Sequence, residues 1–130
     1  MAALVDTCGW IEWLIDGALC DRFSPYLTDL ESLIVPTCLQ FELYKWAKRE
    51  RGETAALEAV ALTEQARVIS LSTSLALYAG DLALEHRLSL ADALIYATAR
   101  RYEALLVTAD DHFLGLEDVT YFPKHAVSEV

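Results

Sequence analysis

Short apolar runs alternate along this chain with longer stretches in which apolar residues recur at helical spacing. That alternation is the pattern of an α/β fold on a largely parallel sheet, because parallel strands are buried on both faces and need helical crossovers between them. Ala2 to Val5 reads as the first strand, and Trp10, Trp13 and Leu14 carry a helix to about Gly17. A second short helix is expected over Pro25 to Leu33, then a brief strand from Leu33 to Val35. Thr37 followed by Gln40 reads as a capping box that opens a helix ending at Arg51, where Gly52 stops it. Glu53 to Ala66 is helical, Arg67 to Leu71 a strand, and Leu75, Tyr78, Ala79 and Leu82 form one stripe of the next helix. Ser89 opens a helix through about Glu103, Ala104 to Val107 is a buried strand, and Val119 to Phe122 a short last one. The stretch after Pro123 is expected to be a mobile tail.

At 130 residues, with no linker or internal repeat, residues 1–130 read as a single domain. The 55% hydrophobic content favours a compact core over disorder. Twenty acidic residues against ten basic ones leave a net charge of −10, which excludes loose, charge-driven attraction to a phosphate backbone. A nucleic-acid role must then be local, and cations held by carboxylates would supply the positive charge. Cys8, Cys20 and Cys38 form no Cys-x-x-Cys pair, which suggests neither a disulfide framework nor a zinc site and fits a reducing, cytoplasmic setting. Asp6 interrupts the N-terminal apolar run, and no uncharged stretch is long enough to span a membrane, so a soluble protein is expected.

Four acids stand in unusual places. Asp6 and Asp110 each follow an apolar strand, at the carboxyl end, where open α/β sheets bind ligands. Glu42 lies in the stripe Leu39, Glu42, Leu43, Trp46, where an apolar residue belongs, and Asp92 falls in line with Ile95, Tyr96 and Ala99. Each has a plainer explanation. Asp6 suits a helix N-cap, Glu42 would pair outward with Lys45 or Lys48, and Asp92 completes a capping box with Ser89. Asp110, with Asp111 and His112, would be an ordinary polar loop. Together, two strand ends and two inward helix faces bring four carboxylates towards one crevice. Their mutual repulsion is relieved by hard divalent cations with oxygen ligands.

The residues Ala-Leu-Val-Asp6-Thr7-Cys8, Glu42, Asp92-Ala-Leu-Ile-Tyr-Ala-Thr-Ala and Leu-Val-Thr108-Ala-Asp110-Asp-His112-Phe113 resemble, in that order, the motifs of the PIN-domain family. Within it they resemble the VapC-type toxins of toxin–antitoxin pairs. The resemblance implies a three-layer α/β/α sandwich with a mainly parallel five-stranded sheet. It implies a metal-dependent endoribonuclease using magnesium or manganese, with water activated at the metal and products ending in 5′-phosphate and 3′-hydroxyl. Asp6, Asp92 and Asp110 carry over as metal ligands, and Glu42 as a ligand or as the group orienting the attacking water. Thr7, Thr108 and His112 carry over as support for ligands or phosphate. The implied partners are an RNA substrate, an antitoxin whose C-terminal segment covers the crevice, and a second copy in a homodimer. Cys8 stands where many relatives have serine and is read as a small packed hydrophobe.

Other readings explain less. A haloacid-dehalogenase-like phosphatase needs an aspartate where Cys8 stands, and a response-regulator-like phosphoacceptor leaves Glu42 and Asp92 unexplained. A non-catalytic PIN-like binding module and a structure-specific DNA nuclease remain as alternatives. Lys45, Lys48, Arg49 and Arg51 near one helix end, and Arg100 and Arg101 near another, read either as complements of the helix dipoles or as an RNA track.

Overall fold

The computed structural model describes residues Met1–Lys124. The expected tail from Pro123 onward lies outside the described residues, apart from Pro123 and Lys124 themselves. Elements follow in the order β1 (Ala3–Val5), α1 (Thr7–Leu14), α2 (Cys20–Leu27), β2 (Ile34–Pro36), α3 (Thr37–Arg51) and α4 (Glu53–Thr63). Then come β3 (Arg67–Ile69), α5 (Thr73–His86), α6 (Leu90–Arg101), β4 (Leu105–Thr108) and β5 (Val119–Tyr121), with single 3-10 turns at Leu30–Ser32 and Asp111–Phe113.

All strand pairs are parallel, with β4 between β1 and β5, and β2 beside β3. One parallel bridge, Ala3 to Leu33, joins the two groups, so the five strands run in the order β3-β2-β1-β4-β5 with a narrow seam in the middle. The five parallel strands are those expected, and the seam is where the pairing thins to one bridge. β2 is only three residues long and its other edge is committed to β3. The layers are those of the expected α/β/α sandwich, with helices packed in pairs, α1 on α2, α3 on α4 and α5 on α6. Leu4, Val5, Leu106 and Val107 are fully buried in the central strands, with Trp10, Phe23, Ile95 and Phe113 packed around them. No helix of the described residues is long and apolar enough to cross a membrane.

Three local expectations need correction. The second helix begins at Cys20 and not at Pro25, which lies inside it; the proline is not the opening residue, and the chain from Leu30 to Ser32 forms a separate 3-10 turn. Thr37 does not cap α3. Pro36 holds that position without a side-chain bond, and Gln40 reaches across to Thr63 and Glu64 at the end of α4 instead. Glu42 does not pair with Lys45 or Lys48. Lys45 lies over the Phe41 ring and Lys48 over Tyr44 beside Glu53, while Glu42 turns inward.

Candidate metal centre

The carboxyl edge of the sheet carries the candidate site. β1 ends at Val5, and the backbone N–H of Asp6 continues the ladder by donating to the Val107 carbonyl (3.0 Å). Asp6 therefore faces Thr108 across the two central strands. The Thr108 hydroxyl donates to Asp6 Oδ2 (3.0 Å), the Thr7 N–H donates to Asp6 Oδ1 (2.7 Å), and Asp6 caps α1. Capping and membership of the crevice are thus one arrangement. Asp6 is 5% exposed, and burial is the main reason its carboxyl is pushed up to about 6. The hydrogen bonds from Thr108 and Thr7 oppose that rise, while the charges of Asp110 and Asp92 add to it.

Asp92 and Asp110 lie nearer the surface, both half-buried. Ser89 caps α6 by accepting from the Asp92 N–H, which places Asp92 in the first turn and leaves its carboxylate free to reach over the sheet. Asp110 sits after β4; its N–H donates to the Thr108 hydroxyl (2.9 Å), and its own carboxylate accepts from the His112 N–H (2.9 Å). His112 Nδ1 lies 3.0 Å from Asp92 Oδ2 and 3.3 Å from Asp110 Oδ1. One ligand atom from each of the three falls within 4.8 Å of the others. The hydrogen bond with Asp92 and the charge of Asp110 hold the His112 imidazole above its usual range.

Glu42 occupies the other flank. α3 turns it towards α1, where Thr7 Oγ1 donates to Glu42 Oε1 (2.7 Å). A continuous series of contacts thus runs from Glu42 through Thr7, Asp6 and Thr108 to Asp110, His112 and Asp92. Asp92, Asp110 and His112 form the tight set; Asp6 lies deeper, and Glu42 stands one threonine removed. Two carboxylates with one imidazole make a mostly hard donor set, and a divalent cation of the magnesium or manganese kind fits it.

Cys8 has a larger part than packing alone. Its thiol donates to Asp6 Oδ2 (3.6 Å), sits 3.6 Å from Thr108 Oγ1 and accepts from the Ala109 N–H (3.4 Å). Burial, with the charge of Asp6, pushes this thiol up to about 12, so it remains a protonated donor. Cys38 is pushed up to about 11 by burial and by Glu42. Residue spacing gives no sign of either environment, because both depend on contacts between distant segments. The basic residues near Arg100 are largely committed, Arg100 to Glu117 and Asp118, and Arg101 over Tyr78.

A PIN domain model matches residues 3–118. The chain belongs to the PIN domain family. A toxin–antitoxin complex from Klebsiella pneumoniae contains a similar chain, with a TM-score of 0.77 at 24% identity, covering 97% of this chain and 100% of that one. The sarcin–ricin-loop-cleaving VapC toxin of Mycobacterium tuberculosis aligns with a TM-score of 0.71 at 20% identity, over 86% and 92% of the two chains. A VapBC complex from Rickettsia felis, bound to a DNA fragment from its promoter, aligns with a TM-score of 0.72 at 15% identity, over 94% and 98%. A search of curated proteins yields no match. At these identities the structural likeness establishes a shared fold, and this PIN domain has the fold of the VapC toxins.

Proposed function

We propose that this PIN domain is a metal-dependent endoribonuclease and the toxin of a toxin–antitoxin pair, acting in the cytoplasm. The observation that carries the reading is the convergence of Asp6, Glu42, Asp92 and Asp110, from four separate elements, on the carboxyl edge of one parallel sheet. Asp92 and Asp110, with Asp6 beneath them, would hold magnesium or manganese, and His112 stands beside the same set. When bound, such a cation supplies Lewis acidity towards a phosphodiester and lowers the pKa of water. Thr108 fixes the orientation of Asp6 by donating to one oxygen, and Thr7 fixes Glu42 in the same way. Glu42 is then the group that orients the attacking water and accepts its proton. Support for an antitoxin partner comes from relatives of the same fold found in toxin–antitoxin complexes.

The test is cleavage of total cellular RNA by the purified protein with magnesium or manganese, alongside DNA of matched sequence. Cleavage ending in 5′-phosphates, abolished by EDTA and by Asp92→Asn, is the expected result. Intact RNA under both metals, or equal cleavage by Asp92→Asn, overturns the reading; cutting of DNA in place of RNA overturns the choice of substrate. Expression should arrest growth, with relief by a co-expressed small neighbouring protein.

A further inference from the structure

Beside the acids, and outside every role given above, lies a cavity of about 380 Å³ lined by Ala109, Asp110, Asp111, Tyr121, Pro123 and Lys124. Its volume falls within the range of about 300–1,000 Å³ in which proteins hold small organic groups. Asp110 belongs both to this cavity and to the tight set of metal-ligating atoms, so the two spaces share a wall.

Strand register fixes how Tyr121 addresses that wall. Thr108 and Tyr121 are directly paired across β4 and β5, and directly opposed residues of parallel neighbours present their side chains to the same face. Asp6 is the next member of the row, as its bond from Thr108 shows. Asp6, Thr108 and Tyr121 therefore stand side by side on one face, with Tyr121 two strand spacings, about 10 Å, from Asp6. Phe122, pointing the opposite way, packs edge-on against Phe23 of α2. The sheet thus holds a half-buried aromatic ring at the side of the acidic crevice, with one face of the cavity against it.

Lys124 supplies the cavity's cation. It lines the cavity together with Tyr121, Asp110 and Asp111, and its charge slightly lowers the Cys8 thiol. An aromatic face and an ammonium, set beside a candidate phosphodiester-cutting centre, match the two recognisable parts of a nucleotide. Any base stacks on such a ring, and a phosphate accepts from the compact lysine charge.

We propose that this cavity is a nucleotide subsite, in which the Tyr121 ring stacks on the base flanking the scissile phosphate and the Lys124 ammonium holds that nucleotide's phosphate. The assignment rests on the nuclease reading and adds to it the place where a neighbouring nucleotide is gripped. In a chain of net charge −10, Lys124 sets one ammonium among the carboxylates of this lining, where metal bound at Asp110 would offset the acids.

The test irradiates the manganese-loaded protein with random-sequence single-stranded RNA carrying 5-iodouridine, maps the crosslinked peptides, and measures cleavage kinetics on the same RNA. The crosslink is expected at Tyr121. Tyr121→Leu and Lys124→Gln should each raise KM roughly tenfold with little change in kcat, while Tyr121→Phe behaves as the parent protein. Lys124→Gln should also weaken the salt dependence of RNA binding by about one phosphate contact. Crosslinks confined to other residues, with KM unchanged in both variants, overturn the subsite and leave the nuclease reading standing. If the parent protein neither cuts nor crosslinks RNA, the subsite and the nuclease reading fall together. Far-UV circular dichroism and manganese affinity, unchanged in all three variants, separate these outcomes from misfolding.

Discussion

Asp6 is the residue on which the site's electrostatics turn. Its carboxyl is pushed up to about 6 by burial, above the ordinary range near 4, so between about pH 4 and 6 the metal-free folded protein keeps a proton that the unfolded chain has released. Stability from this group is fully present below about pH 4 and falls as pH rises through 6, by about 3 kcal/mol in all. Asp6→Asn should therefore raise the thermal midpoint of the EDTA-treated protein at pH 7.5 and leave it nearly unchanged at pH 4. Magnesium should raise the midpoint of the parent protein more than that of the variant. An unchanged difference between the two pH values would contradict the burial argument. Cys8 and Cys38, raised to about 12 and about 11, should resist alkylation at pH 8 in the folded state and react on unfolding, as peptide masses after iodoacetamide would show. The sequence discloses the acids because a carboxylate in an apolar stripe, or straight after an apolar strand, conflicts with its surroundings. Cys8 presents no such conflict. A cysteine after Asp-Thr suits simple packing, and only the meeting of β1 with β4 makes it a hydrogen-bonding partner of Asp6, Thr108 and Ala109.

At the scale of elements, the tightest constraint is the approach of α1 to β1 and α2. A Cβ on Gly9 would lie 2.5 Å from Val5 Cγ1 and 2.7 Å from two Phe23 ring atoms, and both neighbours are fully buried. Neither side chain can move aside, so Gly9→Ala should destabilise by about 1–3 kcal/mol in urea unfolding; a midpoint equal to the parent's would show that the helix can shift freely. Asp6 caps this same helix, so that variant should also weaken manganese binding. Arg100, itself half-buried, ties the end of α6 to the turn before β5 through Glu117 and Asp118, but both acids are largely exposed. Arg100→Ala should cost roughly 1 kcal/mol or less, read from the same unfolding curves. Element type and order follow closely from apolar periodicity, whereas boundaries fail where a local signal has two meanings. Pro25 resembles a helix opening yet lies within α2, and the Thr37–Gln40 pair resembles a capping box while Gln40 binds α4.

Across the whole molecule, the parallel sheet places the ends of β1, β4 and β5 along one edge, and the helices α3 and α6 bring Glu42 and Asp92 to it. That convergence could be anticipated from alternating strands and helices, because parallel strands share a carboxyl edge. The seam between β1 and β2 and the cavity beside Tyr121 could not, since both depend on exact register. β4 is central in space yet late in the chain, lying between a first strand that ends at residue 5 and a last one that ends at residue 121. A fragment ending at Glu103 has Asp6, Glu42 and Asp92 but neither Thr108 nor Asp110, and it should bind no manganese by calorimetry. During translation, therefore, β1 waits for its central neighbour until nearly all of the domain, residues 3–118, has been synthesised. Under the proposed function, a nascent chain of this design would stay unarmed, beside a ribosome made largely of RNA, until β4 has emerged and paired with β1.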